Sequence, residues 1–161
     1  DHARHQMRPT EFEAYPEIGY NHRITDIQAA IGLAQLDRLP EIIKRRRSIA
    51  ERYSSALAQH PFLIPPKVPP GMQPNWQSYQ ITLSADTPLS RNEVMDKLFD
   101  QGIPTRRGVM ASHLEPPYRD MGRDLPVTEA IAAKSLQLPM HPGLAQAQQD
   151  RIIEKLAALE R

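Results

Sequence analysis

A chain of 161 residues is the size of one domain and can bury roughly 70% of its unfolded surface. Its 40% apolar and 24% charged residues fit a folded globular protein, not a disordered one. Twenty basic and nineteen acidic side chains leave +1, so bulk charge calls for neither nucleic acid nor a membrane, and the absence of cysteine excludes disulfides, thiol catalysis and cysteine metal sites.

No apolar run reaches the roughly 18 residues of a membrane helix. The first residues, Asp1-His2-Ala3-Arg4-His5, are unlike a secretory signal, and the expected location is the cytoplasm. Arginine outnumbers lysine 15 to 5. That bias suits bidentate binding of phosphate or carboxylate. A GC-rich genome produces it equally well.

Residues 1 to about 18 carry no sustained period. Thr25-Asp26-Ile27-Gln28 then forms a capping-box pattern. Ile27, Ala30, Ile31 and Ala34 follow at helical spacing, with Gly32 inside. Pro40 interrupts that helix and suits the first turn of a second, running from Glu41 to about Gln59 with Ile42, Ile49, Tyr53 and Leu57 on one face. The six prolines from Pro61 to Pro74 predict an extended loop. Tyr79, Ile81 and Leu83 alternate with Gln80 and Thr82 as in a half-buried strand. Ser90-Arg91-Asn92-Glu93 is a second capping box, opening a helix that turns Val94, Leu98 and Phe99 inward and stops at Gly102. A short strand is expected over Ile103 to Val109, a turn at Pro116-Pro117, and a short helix from Thr128 to about Ser135. Another strand is expected at Leu136 to Leu138, and a last helix from Gln146 to Leu159. This order predicts an α/β layer around a small sheet.

No complete active site is visible. There is no phosphate-binding glycine loop, no close pair of metal-ligating histidines and no nucleophile elbow. Lys44-Arg45-Arg46-Arg47 is basic, but four consecutive helical residues point around most of the circumference, so the pattern reads as a solvated helix. Three places are denser in chemistry. Gly19-Tyr20-Asn21-His22-Arg23 precedes a helix N-terminus and suits an anion. Thr105-Arg106-Arg107-Gly108, with His113 beyond it, lies at a strand end. Leu138-Pro139-Met140-His141-Pro142-Gly143 follows another strand. Each is also readable as a polar turn or a packing feature.

Taken in order, these segments resemble one family. Gly19-Tyr20-Asn21-His22-Arg23-Ile24-Thr25-Asp26-Ile27-Gln28-Ala29-Ala30-Ile31-Gly32-Leu33-Ala34-Gln35-Leu36 is similar to the segment after the lysine loop in DegT/DnrJ/EryC1/StrS aminotransferases. The likeness continues through Arg45-Arg46-Arg47, Ala50, Tyr53 and Leu57, then Trp76-Gln77-Ser78-Tyr79 and Gly102-Ile103-Pro104-Thr105-Arg106-Arg107. It ends with His113, Pro117-Tyr118 and Leu138-Pro139-Met140-His141-Pro142-Gly143-Leu144. These enzymes use pyridoxal 5'-phosphate to aminate keto sugars carried on nucleotides.

The resemblance implies the C-terminal small domain of a fold-type I aminotransferase, a long helical arm plus a small, mainly antiparallel sheet with helices. It divides the chain into an N-terminal segment and arm (1–60), expected at interdomain and dimer contacts, and a small α/β domain (61–161). The large cofactor domain, with its Schiff-base lysine and the aspartate that pairs with the pyridine nitrogen, is expected to lie outside the chain. The five lysines, at 44, 67, 97, 134 and 155, do not stand in that lysine's context. The implied whole protein is a homodimer taking a nucleotide-sugar substrate and an amino-acid donor, glutamate, and the chain alone is expected to be inactive, with no catalytic residue of its own.

Site roles follow the same resemblance. Asn21 is expected to reach the cofactor phosphate of the partner subunit. Arg23, His22, Arg106, His113 and His141 are expected toward the substrate, and no metal is implied. His22 stands where an aromatic residue is commoner, Ala111-Ser112 replaces a usual Pro-Leu before His113, and Ala145 replaces a usual helix-capping Thr. Two readings of other classes remain open at this stage. One is a lysine-less relative acting as a regulatory or structural binding module. The other is a basic helical nucleic-acid binder resting on Lys44 to Arg47, against which the +1 charge speaks.

Overall fold

The computed structural model describes residues 18–19 and 22–160. Two helices open it, α1 (Asp26–Leu36) and α2 (Leu39–Leu57). Thr25 caps α1 as its sequence predicts. The Gln28 N–H donates to Thr25 Oγ1 at 3.3 Å, and the Thr25 N–H donates to Gln28 Oε1 at 2.9 Å. Pro40 falls in the first turn of α2, where its missing N–H leaves no acceptor short of a donor.

Strands β1 (Leu63–Ile64), β2 (Tyr79–Leu83), β3 (Arg106–Arg107) and β4 (Ser135–Leu138) form one sheet in the order β1-β2-β4-β3. Every neighbouring pair is antiparallel. Helices α3 (Arg91–Asp100), α4 (Pro126–Lys134) and α5 (Gln146–Ala157) complete the fold.

The register sorts the sheet into two faces. Tyr79 pairs with Leu138 and Ile81 with Leu136, so these four share one face. They meet Ile49, Tyr53 and Leu57 of α2, Val94, Met95 and Leu98 of α3, and Ile152 and Leu156 of α5 in a single core. On the other face, Gln137 stands between Gln80 of β2 and Arg106 of β3.

Polar bonds fasten the core's helices to one another. The buried Gln149 amide donates to the Ile49 carbonyl at 2.8 Å. Arg52 bonds the Gln146 carbonyl at 3.3 Å and pairs with Asp150. His60 receives the Leu63 N–H on Nδ1 at 3.1 Å, so its proton sits on Nε2 and donates to the Leu156 carbonyl at 3.2 Å. That histidine is a structural joint between β1 and α5.

Four expectations need correction. The proline-rich stretch is not all loop: Leu63 and Ile64 keep their N–H groups and pair with Leu83 and Thr82 as β1. The strand expected over Ile103 to Val109 shrinks to Arg106–Arg107, because Pro104 has no N–H and the chain bends at Gly108, whose N–H still reaches the Ser135 carbonyl at 3.0 Å. The helix expected from Thr128 begins at Pro126 and yields Ser135 to β4. The basic run is not a solvated face. Arg45 donates to the carbonyls of Pro142 and Leu144, Arg47 bonds Gln73 Oε1 at 3.3 Å, Arg46 is half-buried, and only Lys44 is exposed.

Candidate functional site

The turn that carries His141 is built by α2. Tyr53 Oη donates to the Pro139 carbonyl at 3.0 Å, and Arg45 grips the carbonyls of Pro142 and Leu144 at 3.4 and 2.5 Å. The two side chains stand about two helical turns apart on α2, so they share a face. Burial, reinforced by the neighbouring Tyr79, pushes the Tyr53 phenol well above its ordinary pKa, and the hydroxyl therefore remains a donor. Burial also raises Tyr79, whose hydroxyl lies 2.8 Å from Ser54 Oγ. Trp76 stacks on Tyr79, with ring centroids 5.5 Å apart. Trp76 holds a φ of 52°, a left-handed conformation unusual for a bulky residue. His141 itself is exposed. Beside its turn lies an open cleft of about 490 Å³, with Arg38, Glu41, Lys44, Arg45 and Pro142 among its walls.

His113 sits in a 3₁₀ turn (Ser112–Leu114) after β3. Its Nε2 lies 2.9 Å from Glu129 Oε1 of α4, and its side chain is 9% exposed. The hydrogen bond from His113 holds the Glu129 carboxyl below its ordinary pKa. Glu115 faces Arg107 instead, at 3.9 Å. Arg91 ties α3 to this region by donating to the Ala132 carbonyl at 3.2 Å, and burial together with Arg107 lowers its pKa. Gly108 is required where it stands, because a Cβ there would run into the Ser135 side chain and approach Gln80 Cδ at 2.9 Å.

Of the residues expected toward the substrate, Arg106 is exposed on the edge strand, in line with Gln137 and Gln80. The antiparallel register sends the chain after Arg107 past Ser135 and the chain after β4 past Leu138, so His113 and His141 follow opposite ends of the β3–β4 pair. His22 and Arg23 are exposed just ahead of α1. Asn21 lies outside the described residues. Sequence reasoning missed Glu129, Gln80 and Gln137. The register of the two glutamines depends on long-range pairing, and so does the contact of Glu129 with His113.

The donor set suits one end of an aldehyde cofactor that carries a phosphate. Arg23 and the capped N-terminus of α1 offer the chemistry that holds phosphate. Lys44, Lys67, Lys97 and Lys134 are exposed, and Lys155 lies on α5 with its Nζ 3.4 Å from Glu154. Among the described residues no group of three metal-ligating side chains converges, and no helix is long and apolar enough to cross a membrane.

The chain is 35% identical over 153 residues to GDP-perosamine synthase from Caulobacter vibrioides, covering 93% of this chain and 41% of that protein. Its fold matches the aminotransferase TlmJ from Streptoalloteichus hindustanus with a TM-score of 0.74 at 33% identity, over 84% of this chain and 36% of that one. It matches S. venezuelae DesV, solved in complex with a ketimine intermediate, with a TM-score of 0.78 at 28% identity, over 94% and 41%. The chain thus spans about two fifths of the length of these relatives. The model of the DegT/DnrJ/EryC1/StrS aminotransferase family matches residues 1–157, and the chain belongs to that family.

Proposed function

We propose that this chain is the C-terminal part of a pyridoxal 5'-phosphate-dependent homodimeric aminotransferase that moves an amino group from glutamate to a keto sugar carried on a nucleotide. The cofactor supplies an electron sink that lets the amino group pass through it in two half-reactions. Its aldehyde is held by a lysine outside this chain. Asn21 and Arg23 serve the phosphate and donor carboxylate across the dimer. Arg106, His113 and His22 serve the sugar, where hydroxyls and phosphates call for imidazole and guanidinium partners, and His141, beyond the opposite end of the β3–β4 pair, serves a separate part of the substrate.

The observation that carries this reading is α1. Its helix is well capped, yet Ile27, Ile31, Leu33 and Leu36 are 57–76% exposed and no residue of α1 is buried. An apolar helix with this much free surface belongs against another surface. A cross-subunit arm that presents Asn21 and Arg23 to the neighbouring site meets that need.

The test uses the full-length protein loaded with cofactor. Glutamate should convert its visible absorbance band to that of the amine form, and a nucleotide-linked keto sugar should restore it. The 161-residue chain alone should form no borohydride-stable adduct on a specific lysine. Conversion by glutamate without restoration by any such sugar contradicts the substrate class. A specific adduct on the chain alone contradicts the placement of the lysine.

A further inference from the structure

Two acidic side chains lie near the turn that holds His113, and the fold sorts them. Glu115 faces Arg107, while Glu129 faces His113 Nε2 at 2.9 Å. Glu129 is placed for this by α4. Pro126 starts the helix at its first position, and Glu129 closes the first turn with its own N–H bonded to the Leu125 carbonyl at 3.0 Å. A carboxylate in the first turn is favoured in its ionised form by the helix dipole. An ionised carboxylate only accepts, so the proton between the two groups belongs to His113 Nε2. The contact orients the ring. In the neutral imidazole Nδ1 is the acceptor, matched to a donor such as a sugar hydroxyl.

We propose that Glu129 is the positioning residue for His113, fixing its ring and its tautomer so that Nδ1 is the atom offered to the sugar substrate. This rests on the reading of His113 as a sugar-facing residue. Glu129 acts through the imidazole. A histidine ring with 9% exposure has little freedom once one nitrogen is held, so a single hydrogen bond suffices to select its orientation.

The test compares Glu129→Ala, Glu129→Gln, His113→Ala and the double variant Glu129→Ala/His113→Ala in the full-length enzyme. Glu129→Ala should raise the KM for the nucleotide-linked keto sugar about tenfold and leave the glutamate half-reaction within about twofold. Glu129→Gln, whose amide oxygen still accepts from Nε2–H, should recover the sugar KM to within about threefold of the parent. The double variant should be no worse than His113→Ala. Acylation of His113 by diethyl pyrocarbonate, read by mass spectrometry, should quicken in Glu129→Ala and stay slow in Glu129→Gln. Equal losses in Ala and Gln, equal losses in both half-reactions, additive losses in the double variant, or unchanged His113 acylation in Glu129→Ala would each overturn the proposal. If His113→Ala leaves the sugar KM unmoved, the sugar-facing reading falls and the proposal with it. If His113→Ala raises that KM and Glu129→Ala does not, the proposal alone falls.

Discussion

Ile31 and Ile81 are the same residue in opposite conditions. Ile31, on α1, is 59% exposed, and Ile81, on β2, is fully buried. The helix that carries Ile31 is held by a capping box and its own backbone bonds, whereas the strand that carries Ile81 is held by α2, α3, α5 and β4. Half of α2 sides with each. Its first turns line an open cleft, and its last ones bury Ile49, Ala50, Tyr53 and Leu57. Hydrophobicity alone therefore does not say which surface a residue faces. Under the proposed function the free stripe of α1 lies against another surface.

The largest effect that could break this contrast is truncation of the two isoleucines. Ile81→Ala should destabilise the chain by about 2–5 kcal/mol in urea unfolding. Ile31→Ala should change the same measurement by about 0.5 kcal/mol or less. In the full-length protein the order should differ, with Ile31→Ala weakening the dimer. Equal losses in the isolated chain would show that α1 is packed after all.

Gly108→Ala comes next, at about 1–3 kcal/mol, because the added methyl group meets Ser135 and Gln80 across the sheet. Gly32→Ala on α1 meets nothing within 4 Å and should stabilise that helix by about 1 kcal/mol in the isolated chain. If Gly32→Ala also weakens the full-length dimer, another surface approaches α1 closely at that point.

The capping boxes sharpen the comparison further. Ser90 anchors α3, which is part of the core, so Ser90→Ala should lower global stability by about 1 kcal/mol. Thr25→Ala should reduce the helicity of α1 seen by hydrogen exchange and leave the unfolding midpoint in place.

The smallest expected effect is one of pH. Glu93 accepts the Ser90 N–H at 2.7 Å, and that bond holds its carboxyl below the ordinary value of 4.5. A carboxyl depressed in the folded state stabilises above its unfolded pKa and ceases to do so as pH falls through the folded one. The thermal midpoint should therefore fall between about pH 5 and pH 3, and Glu93→Gln should reduce that fall.

What could be read from the chain follows the range of the interactions. Both capping boxes are encoded within four residues, and Thr25 and Ser90 cap as their patterns predict. The alternation of Tyr79, Ile81 and Leu83 likewise marks the buried face of β2. Strand β1 was illegible because two residues among prolines form a strand only when β2 lies beside them. The basic run resists a local reading for a similar reason. Its arginines find their carbonyl and amide partners at Pro142, Leu144 and Gln73, far along the chain. The site shows the same division. Helix α1 was legible as a capped helix, while the bond between His113 and Glu129 joins residues 16 apart through the packing of α4 and leaves no local trace.

The proposed function places the segment before α1 at the active site of the neighbouring subunit. Mixed dimers of the full-length protein test it most directly, combining Asn21→Ala with loss of the Schiff-base lysine. With both changes in one subunit, each site carries one lesion and activity should collapse. With the changes in opposite subunits, both lesions fall in one site, and the other should keep about half of the parental activity. Equal activity in the two arrangements would contradict the cross-subunit role and leave Asn21 as a turn residue.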